Sequence, residues 1–193
     1  MSEARRTART VLLLSGVTLF ALGGLGAWLI AAVQERGLAE VSGLGHPWWR
    51  SLAIGVVLGM ITGTGALLLL RQPFLRPVAM RYAGLLGPLV PKRWHHVVLS
   101  LAAGIGEELL FRGALQHWLG VPLTALLFVA LHGYLDPRDR RLILYGLYLV
   151  VCMLAYGTVA RAWGLLPAMV AHTVFDLLLL DRLRAWHRSS AGE

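Results

Sequence analysis

The chain has 193 residues, 57% of them hydrophobic and only 15% charged, against about 25% charged in an ordinary soluble domain. That balance excludes a soluble globule and marks membrane material, and the net charge of +8 fits basic loops on the cytosolic side of a bilayer rather than nucleic-acid binding. The lone Cys152 sits in an apolar run, so no internal disulfide is available and the residue reads as packing.

Apolar stretches suited to a hydrocarbon core of roughly 30 Å run over 11–33, 51–70, 97–119, 142–160 and 165–180, with a shorter one over 121–135. The first follows Arg5, Arg6 and Arg9 as a signal peptide would. Its apolar run is too long for a signal core and no small-residue cleavage site follows it, so an uncleaved helix is expected. The short stretch crosses only if buried among its neighbours or extended through Gly120 and Asp136.

Six spans sort the basic residues. Arg5, Arg6, Arg9, Arg71, Arg76, Arg81, Lys92, Arg93, Arg138, Arg140, Arg141, Arg182, Arg184 and Arg188 fall on one side, and only Arg36, Arg50 and Arg161 on the other, with Arg112 inside the third span. Five or seven spans would scramble this division. The expectation is an all-α, polytopic transmembrane helical bundle of about six spans with both termini cytosolic.

The 73–94 segment carries Pro73, Pro77, Pro88 and Pro91, which rule out one continuous helix, and reads as a cytosolic, interfacial connection. Trp48, Trp49, Trp94, Trp118, Trp163 and Trp186 lie near span ends as headgroup anchors. Gly16, Gly23, Gly55, Gly59 and Gly63 read as close helix packing. A single membrane domain over 1–193 follows, with N-terminal spans and the connection in 1–96 and a core in 97–181. Seventeen of the eighteen basic residues are Arg, a bias that hints at a bacterial inner membrane.

Glu107, Glu108 and Arg112 lie ten or more residues inside the third span, deep in the bilayer at 1.5 Å per residue. An unpaired charge at such depth opposes insertion, so these groups are expected to be paired and functional. Glu108 and Arg112 stand four apart on one helix face, and Glu107 points about 100° away. The fourth span brings His132, and the sixth brings His172 with Asp176 one turn on. A carboxylate and two imidazoles converging from three helices suit water activation or metal binding.

These residues carry a resemblance. Glu107-Glu108-Leu109-Leu110-Phe111-Arg112-Gly113 resembles the EExxxR motif of the CPBP family, the CAAX proteases and bacteriocin-processing enzymes also called Abi or prenyl-endopeptidase type proteins. Phe128 to His132 is similar to its FxxxH motif, and His172 to Asp176 to its HxxxN or HxxxD motif. The likeness spans roughly 104–176. It implies an intramembrane endopeptidase acting on a membrane-associated or lipidated protein. Glu107 would be the general base, helped by His132; His172 and Asp176 would stabilise the oxyanion, and Glu108 and Arg112 would support the site.

The family is classed among metalloproteases, and a metal-free mechanism is also advanced for it. A divalent metal such as zinc would need Glu107, His132 and His172, since HExxH is absent. An ionised Asp176 only accepts hydrogen bonds, so Asp176 is either held protonated by burial as a donor or, the favoured expectation, orients His172. A proton-coupled transporter and a non-catalytic immunity or scaffold protein are the alternative functions. The expected partners are the bilayer and a protein or peptide substrate with a membrane-associated segment.

Overall fold

Hydrocarbon offers no partner for a free N–H or C=O, so an apolar chain crosses it as a helix or a closed barrel. The computed structural model describes residues 3–191 and has helices but no strand among them. α1 is Ala4–Val33 and contains two π-helical stretches, Val17–Leu22 and Leu29–Val33. The short α2 (Leu38–Ser42) leads to α3 (Trp48–Leu70) and α4 (Arg76–Leu86). α5 is Arg93–Glu108, prolonged by the π-helical Leu109–Leu115, and α6 is Gln116–Leu131. α7 (Arg140–Trp163) and α8 (Leu165–Ala191) complete the order.

Among the described residues, four helical stretches are long and apolar enough to cross a membrane: α1, α3, the 93–131 stretch that holds α5 and α6, and α7. The third is not one rod. Gly120, with φ of 69°, takes a conformation closed to most side chains, and Pro122 just beyond it suits the first turn of a new helix. The rings of Phe111 and Phe128 meet at 4.9 Å, so the chain folds back there, at the boundary the sequence predicts between its third and fourth spans. α8 is not among the four, because Asp176, Asp181 and Arg182 fall within its first eighteen residues.

The 73–94 segment is more than a connection. It holds the eleven-residue α4, whose Val78, Ala79 and Ala83 are buried. Pro77 lies in the first turn, where its missing N–H has no helical partner to lose. The prolines therefore bound a helix instead of forbidding one.

Glycines bring the central helices together. A Cβ on Gly59 would stand 2.6 Å from the Ala171 carbonyl and 2.7 Å from Val174, and one on Gly55 2.6 Å from the Pro167 carbonyl, so α3 packs backbone to backbone on α8. Gly23 lies against Gly106, and a Cβ on Gly26 would sit 2.6 Å from Leu109 and Leu110 backbone, which presses α1 onto α5. Gly16 is the exception: nothing lies within 4 Å of its Cβ position, so it has no packing role. Gly59→Val should therefore lower the melting temperature of the detergent-solubilised protein, by the equivalent of about 1–3 kcal/mol or more, while Gly16→Ala should not. Equal melting of the two variants would contradict this packing.

Candidate active site

Glu107 and Glu108 end the α-helical part of α5 where it widens into π turns, a rare geometry that concentrates at functional sites. Neighbours on a helix diverge by about 100°, so the two carboxylates meet different surroundings. Glu108 is fully buried, whereas the Glu107 side chain keeps 14% of its surface exposed.

Glu108 is held from two sides. Arg112 Nη1 lies 3.0 Å from its Oε1, and His172 Nδ1 lies 2.9 Å from the same oxygen. Arg112 also donates to the Met153 sulfur at 2.6 Å and lays its guanidinium over the Phe128 ring, 4.6 Å from the centroid. The charges are thus desolvated but compensated, the condition under which a buried pair is tolerated.

The two imidazoles are aimed by their second nitrogens. His132, at the C-cap of α6, faces the Phe128 carbonyl with Nδ1 at 2.7 Å and stacks on that ring at 4.3 Å. A nitrogen facing a carbonyl must donate, so in the neutral ring Nε2 presents its lone pair, here to Glu107 Oε2 at 3.6 Å. His172 Nδ1 likewise donates to Glu108. Its Nε2 faces Glu107 Oε2 at 3.9 Å and Asp176 Oδ2 at 3.8 Å. Glu107, His132, His172 and Asp176 line a cavity of about 130 Å³, room for several waters at roughly 30 Å³ each. The His132 side chain is 36% exposed, so the cavity opens on that side.

All six residues predicted from the sequence come together here. One relation differs from expectation: Asp176, at 3.8 Å, makes no hydrogen bond to His172, and Glu108 provides the orienting contact. Asp176 instead faces the same nitrogen of His172 as Glu107 does.

The sequence reading missed the tyrosines. Tyr134 and Tyr145 line the cavity, and the buried Tyr145 hydroxyl has no hydrogen-bond partner among the described residues. Tyr156 shares a 2.7 Å hydrogen bond with Thr62 and donates to the Ala171 carbonyl at 3.4 Å, tying α3 and α7 to α8 beside His172. Their signal was a polar-tipped ring inside an apolar helix, which needs a partner when buried.

Zinc bonds of about 2.0–2.1 Å in a tetrahedron put neighbouring ligand atoms about 3.3 Å apart. The gaps of 3.6 and 3.9 Å from Glu107 to the two imidazoles are wider. Among the described residues no three His, Cys, Asp or Glu side chains are set to hold a metal ion, so as placed the expected Glu107, His132 and His172 set does not fit one.

Residues 89–178 match the family model described as type II CAAX prenyl endopeptidase Rce1-like. This segment, just under half of the chain, resembles the Rce1-like proteases. No curated protein and no solved structure matches the chain. The Rce1-like segment begins just before α5, ends inside α8, and contains all six residues of the cluster. The resemblance to a membrane protease family and the several membrane-length apolar helices together point to a multi-pass membrane protein.

Proposed function

We propose that the chain is an intramembrane endopeptidase that crosses the bilayer six times, with both termini cytosolic, and cleaves a membrane-associated protein with water activated by Glu107. The observation that carries this reading is the convergence of two imidazole Nε2 atoms on Glu107 Oε2, at 3.6 and 3.9 Å, beside a cavity with room for water. Two acceptors beside this space, Glu107 Oε2 and His132 Nε2, suit a water molecule that supplies the protons.

In this reading Glu107 takes a proton from the water while His132 Nε2 holds it by accepting its other hydrogen. The oxygen then attacks the scissile carbonyl. His172, with carboxylates facing both its nitrogens, is arranged to donate Nε2–H to the oxyanion. Glu107 passes its proton to the leaving amine, and the tetrahedral intermediate collapses to acid and amine. Glu108 and Arg112 keep His172 in place, and no step needs a metal.

The substrate class follows the family's description: a protein with a lipidated, CAAX-type C-terminal tail. The test is the full-length protein in nanodiscs, given a farnesylated CAAX peptide and its unlipidated counterpart, with the released C-terminal tripeptide measured by mass spectrometry. Faster release from the farnesylated peptide is expected, together with substoichiometric zinc by elemental analysis. Release no faster than from a His172→Ala sample, for both peptides, would overturn the protease reading.

A further inference from the structure

A second pocket, remote from the catalytic cluster, lies where the start of α1, the start of α5 and the end of α8 meet. Its volume is about 410 Å³, and Lys92, His95, Arg184 and Arg188 line it together with apolar Ala8 and Trp94. Among the described residues no carboxylate lines it, and none of Lys92, Arg184 and Arg188 is in an ion pair. Arg184 and Arg188 both donate to the Pro91 carbonyl, at 2.7 and 3.3 Å. One carbonyl thus holds two guanidiniums side by side, and like charges so placed call for an anion.

His95 points the same way. Its residue is only 2% exposed, and its Nδ1 accepts the Lys92 N–H at 3.3 Å. In the neutral ring Nε2 therefore carries the proton, yet among the described residues this buried atom has no partner, and neither has Arg184 Nε. An orphaned buried donor is costly, and two beside three uncompensated cations describe a site for an acceptor.

We propose that this pocket binds the phosphate of an anionic lipid headgroup. Phosphate supplies the charge and the acceptor oxygens. The lipid source follows from the apolar walls beside the cations and from the position at the end of the bundle where basic residues gather, the end that faces an anionic leaflet.

The experiment is native mass spectrometry of the full-length protein in detergent, titrated with phosphatidylglycerol, phosphatidylcholine or inorganic phosphate. Phosphatidylglycerol is expected to be retained over phosphatidylcholine. Lys92→Gln and Arg188→Gln should each weaken it about fivefold, while Lys92→Arg and the distant Arg138→Gln leave it unchanged. Lys92, Arg138 and Arg188 are all exposed, so the variants keep the fold, which melting curves would verify. Equal retention by the Gln variants and the unaltered protein would overturn the site. Displacement of the lipid by inorganic phosphate at equal concentration would overturn the lipid assignment.

Discussion

Glu107→Gln is expected to reduce cleavage by about 10²–10⁴-fold, the contribution of a positioned general base, in a protein that elutes and melts as before. The amide is nearly isosteric and still faces His132 and His172, but it has no carboxylate to take the proton of water. The environment explains why the fold should survive: Glu107 lines the cavity, partly exposed, and its nearest polar neighbours stand at 3.6 and 3.9 Å. Among the described residues its side chain makes no hydrogen bond that packing depends on. The measurement is tripeptide release by the reconstituted variant. A rate within threefold of the unaltered protein would remove Glu107 from the chemistry.

Arg112→Met should produce the largest loss of stability. Arg112 and Glu108 are 1% and 0% exposed and 3.0 Å apart. Deleting the guanidinium leaves a buried carboxylate with His172 as its remaining polar neighbour, and breaking such a pair costs about 3–5 kcal/mol. Reduced levels in the membrane fraction and an early thermal transition would register it. The double variant Glu108→Gln, Arg112→Met removes both charges and should regain most of that stability. It should stay catalytically poor, because the contact that aims His172 becomes a neutral amide. A double variant as unstable as Arg112→Met would show that the guanidinium acts through packing on Phe128 and Met153 instead.

The cluster was legible because hydrocarbon penalises ionisable groups, so the few present inside apolar stretches stood out. The boundary at Gly120 was legible too, as the gap between the apolar stretches 97–119 and 121–135. The partner of His172 was not: the i,i+4 spacing to Asp176 favoured a local contact, whereas Glu108, sixty-four positions away, is joined to it only by tertiary packing. α4 was hidden because proline reads as a helix breaker unless it falls in the first turn. The π turns leave no periodic signature over seven residues, and Tyr145 and Tyr156 look like any aromatic core residue until their hydroxyls are placed.

The seam between α1 and α5 has a practical meaning for anyone dissecting this chain. All six clustered residues lie in 89–178, which invites excision of that stretch as a minimal catalyst. Gly106 and the Leu109–Leu110 backbone rest against α1, however, one turn at most from the acidic pair. Without the N-terminal helix that flank would be a bare groove open to lipid tails. The motif-poor opening of the chain thus acts as a splint for the helix that bears Glu107 and Glu108, and truncation there should abolish the proposed cleavage as surely as a change to the acids themselves.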